Sequence, residues 1–135
     1  MYPEHIVKPM KEELTSNGFS ELKNDDDIKD LIKSGTSIIA VNSVCGCAAA
    51  NARPGVLASL QNEKIPNNLF TVFAGVDKEA TASARDLMFP FPPSSHCIAI
   101  FKDGSLVHML ARHHIEGRDA KIIADNLKEA YNEYC

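Results

Sequence analysis

Apolar residues recur along the chain in two spacings, one typical of helices and the other of buried strands. Ile6, Met10 and Leu14 follow the helical spacing, and Gly18 marks the end of that helix. The run 36–42 is short, apolar and β-branched, as in a strand covered on both faces. The full pattern predicts helices at 3–16, 25–34, 48–62, 78–89 and 116–134, and strands at 36–42, 68–74, 96–102 and 105–110.

The order of these elements indicates a single α/β domain over residues 1–135. Helices join the central strands, which implies parallel pairing. Asp103-Gly104 is a strong hairpin signal and predicts an antiparallel edge built by the last two strands. Pro54 lies inside the third predicted helix and is expected to kink it.

Composition narrows the classes of function. A net charge of −4 argues against a nucleic-acid surface and against binding to an anionic membrane. The apolar runs are strand-sized, far short of the roughly 20 residues that a membrane helix requires. The first residues lack the basic start and apolar core of a signal peptide. A cytoplasmic protein is therefore expected.

The cysteines carry the candidate chemistry. In a reducing cytosol, closely spaced cysteines are more often redox-active or metal-binding than structural. Cys45 follows a predicted buried strand and begins a predicted helix, where free N–H groups and the helix dipole stabilise a thiolate. Cys47 is placed to resolve a mixed disulfide, and Gly46 permits the tight backbone that such a pair needs.

The spacing of the pair also predicts its redox character. A disulfide within Cys45-Gly46-Cys47 closes a smaller ring than that of Cys-x-x-Cys, and a strained disulfide is easier to reduce. A weak reductant, better suited to isomerisation, oxidation or exchange with small-thiol mixed disulfides, is expected. Alternatively, the internal disulfide forms rarely and Cys45 works nearly alone. The triplet by itself also fits two inert thiols or half of a metal site.

Longer motifs surround the triplet. They are Val41 to Ala49, Ala52-Arg53-Pro54, Thr71 to Gly75, Asp77 to Ala82, Pro93-Ser94-Ser95, Arg112-His113 and Ile115-Glu116-Gly117. In these motifs the chain resembles the bacilliredoxin family of thioredoxin-like proteins over nearly its whole length. The resemblance implies a thioredoxin-like α/β fold, with a central mixed sheet of about four strands flanked by helices and an extra N-terminal helix.

The resemblance also implies an activity. Cys45 would attack protein–bacillithiol mixed disulfides and take the small thiol onto itself, with Cys47 as the second cysteine. Disulfide-isomerase activity is implied as well. The partners would be S-thiolated or disulfide-bonded client proteins. No tightly bound cofactor is expected, and bacillithiol or another low-molecular-weight thiol would serve as co-substrate.

One position departs from the family pattern. Thioredoxin-like proteins carry a cis-proline opposite the active cysteines, and relatives have a proline where this chain has His96. A cis bond before a non-proline residue costs about 3–4 kcal/mol, so the bond before His96 is expected to be trans. His96 and Cys97, together with Cys45 and Cys47, would offer donors suited to zinc or an iron–sulfur cluster. A metal-binding module, including a homodimer that shares the metal, is the second hypothesis.

The remaining candidates have two interpretations each. Ser95, His96, Cys97 and Arg53 are candidates for the substrate side of the site. Arg53 either meets the thiolate or an anionic substrate, or forms a surface or interface salt bridge. Cys97 is either a packed core thiol or a neighbour of the active pair. The C-terminal Cys135 is either a third exchanging thiol or an incidental exposed one. A structural binding domain with inert thiols is the third hypothesis.

Overall fold

The computed structural model describes residues 2–135, which form five strands, six α-helices and one π-helical turn. The strands are β1 (Ser20–Glu21), β2 (Thr36–Asn42), β3 (Asn68–Phe73), β4 (Cys97–Lys102) and β5 (Ser105–Leu110). The helices are α1 (Glu4–Thr15), α2 (Ile28–Leu31), α3 (Arg53–Ser59), α4 (Lys78–Asp86), α5 (Arg112–Ile115) and α6 (Ala120–Tyr134), and the π-helical turn is Ala48–Ala52.

The strands form one mixed sheet in the order β1-β3-β2-β4-β5. The predicted parallel pairing holds for β2 and β3, whereas β4 runs antiparallel to β2. The chain turns round between α4 and β4, so both strands of the hairpin belong to the antiparallel part. The fifth strand, β1, pairs with β3 through two residues, too few to leave a hydrophobic pattern in the sequence.

The central strands are covered on both faces, as their continuous apolar sequence predicts. Every residue of β2 is buried. Because side chains alternate along a strand, Ile38 and Ala40 face a core formed with α1, α3 and α6. Ile39 and Val41 face a second core formed with α2 and α4. The domain is therefore a three-layer α/β structure with the sheet in the middle.

Two predicted helices are shorter than expected. The helix predicted at 25–34 is the single turn α2, capped by Asp27, whose Oδ1 accepts the Asp30 N–H at 3.2 Å. The helix predicted at 116–134 begins later, as α6 at Ala120, and the separate short helix α5 precedes it. Gly117 lies between them with a φ of +76°, which no continuing helix can accommodate. Asp119 then restarts the helix by accepting the Ile122 N–H at 2.9 Å.

Pro54 disturbs its helix in a specific way. The Arg53 N–H donates to the carbonyl of Ala48, five residues back, so the turn before the proline is a π turn. Pro54 has no N–H to donate, and its ring would crowd the carbonyl four residues back. The wide turn makes room for that ring. The distortion expected at Pro54 therefore lies directly N-terminal to it, within one helical turn of the cysteines.

The hairpin prediction is confirmed at β4 and β5. Asp103 and Gly104 have φ values of 49° and 85°, both in the left-handed region that a type I′ turn requires.

None of the helices within residues 2–135 combines the length and the apolarity needed to cross a membrane.

Candidate active site around Cys45 and Cys47

The two cysteines lie where β2 gives way to the helical segment 46–59. The Cys45 carbonyl accepts the N–H groups of Ala48 at 3.0 Å and Ala49 at 3.2 Å, so Cys45 occupies the capping position of that segment. Its own N–H donates to the Ser43 hydroxyl at 3.3 Å. This is the strand-to-helix position that the sequence predicts. Both thiols are free and partly exposed.

The environment distinguishes the two thiols. Partial burial is the main cause of a raised pKa at Cys47. The negative charge of Cys45 and a hydrogen bond to Cys45 raise the pKa of Cys47 further, while Arg112 opposes the shift. Cys47 therefore holds its proton more tightly than an ordinary cysteine does. This agrees with its predicted role as the second cysteine rather than the first nucleophile.

Arg53 lies beneath the cysteine loop and forms the expected salt bridge, at an interface between helices rather than at the surface. Its side chain is only 4% exposed. One terminal nitrogen, Nη1, donates to Asn42 Oδ1 at 2.9 Å and to the Ser43 carbonyl at 3.0 Å. Its Nε pairs with Glu13 of α1 at 3.1 Å. Arg53 therefore fixes the end of β2 and the start of the loop, as a positioning residue rather than a substrate contact.

Asn42 completes this support. Its Oδ1 accepts the Ser43 N–H at 2.9 Å as well as the Arg53 guanidinium, and its Nδ2 donates to the Met10 carbonyl at 3.0 Å. The N-terminal helix is thereby linked to the redox loop through polar groups that are largely shielded from water. Sequence reasoning missed the role of Asn42, although the residue belongs to the motif that surrounds the triplet.

A cleft of about 390 Å³ opens beside Cys45. It is lined by Tyr2, Ser43, Val44, Cys45, Ala74, Gly75, Arg85, Ser95 and Arg112. The predicted candidate Ser95 is thus placed in the same cleft as the nucleophile. The two arginines are functional candidates that sequence reasoning missed. Arg112 belongs to the Arg112-His113 motif, but the residues around it in the sequence do not indicate a position near the cysteines.

Arg112 lies close enough to Cys45 and Cys47 to interact with their charges. Its Nε pairs with Glu116 Oε1 at 2.5 Å, one turn further along the chain. This contact is the main cause of a raised pKa at Arg112, and the charges of Cys45 and Cys47 raise it further. Arg112 therefore stays positive near both sulfurs. Its charge lowers the pKa of Cys47, while that of Glu116 raises it.

His96 lies at the base of this region, fully buried. Its Nδ1 lies 3.0 Å from the Ser95 hydroxyl, and its Nε2 has no hydrogen-bond partner among residues 2–135. Burial lowers the pKa of His96, and the nearby Arg112 lowers it further, so the imidazole is neutral at pH 7. The bond before His96 is trans as predicted, because Phe89-Pro90 is the only cis bond in the part of the chain that the structure describes.

Cys97 does not join the cysteine pair. It belongs to the core shared with α2 and α4, whereas its neighbour Ile98 faces the core that holds the helical segment of the active site. The Cys97 thiol lies 3.6 Å from the sulfur of Met88. Within residues 2–135, no three metal-ligating side chains converge. The site expected from Cys45, Cys47, His96 and Cys97 is therefore not formed within this single chain as the structure describes it. A metal shared between two copies stays a prediction.

Burial of Cys97 predicts an alkaline loss of stability. Desolvation raises its pKa from an ordinary value of 9.0 to about 11. The unfolded chain then releases this proton first, so the free energy of unfolding is expected to fall as pH rises from about 9 to 11. Urea titrations at several pH values would measure the decline. The Cys97→Ala variant should show a shallower decline, and equal slopes in both proteins would contradict the assignment.

Gly46 is not required by the backbone while both thiols are free. Its φ is not among the left-handed values of the chain, and an added Cβ would meet no described heavy atom within 4 Å beyond its chain neighbours. The predicted role of Gly46, to permit the tight backbone of a Cys45–Cys47 disulfide, stays a prediction. Gly46 leaves an open, exposed surface between the sulfurs.

Cys135 lies exposed just beyond α6, and its exchange with Cys45 stays a prediction.

Comparison with known proteins agrees with this geometry. Residues 2–135 match the family model described as "Disulphide isomerase". A bacilliredoxin from Cytophaga hutchinsonii is 58% identical over 134 residues, which cover 98% of this chain and 99% of that protein. This chain belongs to the bacilliredoxin family. A second bacilliredoxin, from Halalkalibacterium halodurans, is 46% identical over 136 residues and covers 99% of this chain and 94% of its own length.

The fold expectation is confirmed by a solved structure. Thioredoxin from Aeropyrum pernix superposes with a TM-score of 0.55 at 14% identity, over 82% of this chain and 85% of that one. The thioredoxin-like fold and the N-terminal helix thus agree with the resemblance, with a sheet of five strands rather than about four. Membership of the bacilliredoxin family and this fold together support a thiol–disulfide oxidoreductase.

Proposed function

We propose that this chain reduces mixed disulfides between client proteins and a low-molecular-weight thiol such as bacillithiol. The supporting observation is the position of Cys45, partly exposed at the start of a helical segment and at the edge of a cleft. The neighbouring Cys47 holds its proton more tightly than an ordinary cysteine does, which favours Cys45 as the first nucleophile. Because these reactions use only thiols, no bound cofactor takes part, and a cytoplasmic location suits a protein that works with free thiols.

The first step is an exchange without net oxidation. The Cys45 thiolate attacks the sulfur of the small thiol in the mixed disulfide, and the client sulfur leaves as a thiolate that takes a proton from water. One S–S bond breaks and one forms, between Cys45 and the small thiol. The developing negative charge on the leaving sulfur benefits from Arg112, which lies near both cysteines.

The second step removes the small thiol. Cys47 loses its proton and attacks the Cys45 sulfur, which releases the small thiol and leaves a Cys45–Cys47 disulfide. The protein has then supplied two electrons, and an external thiol must reduce that disulfide for the next turnover. Alternatively, an external thiol attacks Cys45 directly, as expected if the internal disulfide forms rarely. The same exchanges on a protein disulfide would give isomerisation.

Mass spectrometry of the reaction with an S-bacillithiolated client protein tests the proposal. The wild-type chain is expected to release free client, and the Cys47→Ser variant to accumulate an adduct of one small thiol on Cys45. Peptide mapping would identify the modified residue. The proposal is wrong if the client stays capped with wild-type protein, or if the adduct forms only on Cys97 or Cys135.

A further inference from the structure

The cleft beside Cys45 is cationic. Its lining contains two arginines, Arg85 and Arg112, and no carboxylate side chain. Glu116, which pairs with Arg112, is not among the residues that line it. In a chain with a net charge of −4, the lining of this cleft therefore carries two positive charges and no negative one, although Glu116 offsets part of the charge of Arg112.

Both guanidinium groups retain capacity to bind an anion. Arg85 donates through Nη2 to the Ser94 carbonyl, while its buried Nε has no hydrogen-bond partner among residues 2–135. The ion pair of Arg112 engages its Nε, and 49% of the side chain is exposed. Guanidinium groups present several N–H donors in a planar fork that matches a carboxylate. Neither arginine is saturated by the protein.

The other walls of the cleft suit a small polar molecule. Tyr2 and Ser95 contribute hydroxyl groups, and Gly75 lets the Tyr2 ring approach, since a Cβ there would lie 3.1 Å from Tyr2 Cε2. The volume of about 390 Å³ lies in the range of small-molecule sites and is too small for a folded client. The cleft therefore fits the small partner of a mixed disulfide, while the client remains outside.

We propose that Arg85 and Arg112 form a carboxylate subsite, which makes thiols bearing carboxylates the preferred small-thiol substrates. This inference rests on the proposed function and adds the class of thiol. It also assigns the direction of attack. With its carboxylates on the arginines, the small thiol places its own sulfur at Cys45, so the thiol is transferred to Cys45 and the client leaves free.

The test uses one peptide with a single cysteine, capped in turn by mercaptosuccinate, 2-mercaptoethanol or cysteamine. These caps are dianionic, neutral and cationic respectively, and the leaving peptide thiol is the same in all three. Single-turnover release of the peptide by each protein gives the rate for each cap. The wild-type chain is expected to favour the mercaptosuccinate cap, and this preference should weaken in about 0.5 M salt because screening shortens the reach of the charges.

Three variants separate the subsite from general effects of charge. Arg112→Gln and Arg85→Gln are each expected to lower the ratio of mercaptosuccinate to 2-mercaptoethanol rates by about fivefold, the effect of one partly exposed ion pair. Arg118→Gln removes the same charge from an exposed position outside the cleft and should leave the ratio unchanged. Intrinsic differences between the caps cancel when variant and wild-type ratios are compared.

The outcomes distinguish this inference from the proposed function. Release of all three caps, with ratios unchanged in both Arg112→Gln and Arg85→Gln, would overturn the subsite and leave the reductase proposal standing. Failure of the wild-type chain to release any cap would overturn both. If Arg85→Gln does not fold, as judged by its thermal transition, the exposed Arg112 still decides the question through its own variant and through the salt dependence.

Discussion

Replacement of Cys45 by serine is expected to lower the rate of exchange with a thiol-capped client by on the order of 10⁴-fold or more. A serine hydroxyl stays protonated at neutral pH and cannot attack a disulfide at a useful rate. The other thiols cannot substitute. Cys97 is buried and its pKa is raised to about 11, while burial, the largest cause of the raised pKa of Cys47, persists in this variant. Stopped-flow or gel assays of client release would measure the loss.

Two serine variants serve as matched controls for Cys45→Ser. Cys47→Ser is expected to keep the first exchange and to stall at the mixed disulfide on Cys45. Cys135→Ser replaces an exposed thiol that does not line the cleft and is expected to release client at the wild-type rate. Retention of full activity by Cys45→Ser would refute the assignment of the nucleophile, whatever the controls show.

Asn42→Ala is expected to destabilise the fold by about 3 kcal/mol, which corresponds to a fall in Tm of roughly 10 °C. The amide joins three partners beneath the cysteine loop: the Arg53 guanidinium, the Ser43 N–H and the Met10 carbonyl. Alanine offers none of these bonds. It would also leave the buried Arg53 charge with fewer acceptors, which is the costly way to break such a network.

Asn17→Ala is the matched control for Asn42→Ala. Asn17 also donates its side-chain amide to a backbone carbonyl of α1, that of Glu13 at 2.8 Å, but it is exposed to solvent. Water can replace that bond, so a change below about 1 kcal/mol is expected. Urea denaturation of both variants provides the comparison. Equal destabilisation of the two proteins would show that the buried network contributes no more to the free energy of unfolding than one exposed hydrogen bond does.

Much of the fold could be predicted because local pattern determines it. The β-branched run of β2 and the Asp103-Gly104 turn carry their structure in adjacent residues, and both were placed correctly. The helix ends were less well placed. The helix predicted to start at residue 116 begins instead at Ala120, because Gly117 adopts a φ of +76°; a glycine permits this value, but the sequence alone does not show that it is used.

The site was only partly predictable for a related reason. The cysteine pair is contiguous in sequence, so its position between strand and helix followed from local pattern. Arg85 and Arg112 reach the same cleft from separate elements, and no spacing in the sequence reveals that meeting. The face to which Cys97 points depended on the register of β4 against β2, in which Cys97 pairs with Val41. A shift of one residue would have turned it toward the active pair.

The open surface at Gly46 has a consequence for the range of clients. The contacts that hold the cysteine loop come from below, through Asn42 and Arg53, and no described side chain closes over Gly46. A bulky polypeptide can therefore approach the sulfurs from above without displacing part of the protein. Selectivity among clients would then depend on how exposed each modified cysteine is on its own protein. On the proposed function, we therefore expect unrelated clients with exposed mixed disulfides to be released at similar rates.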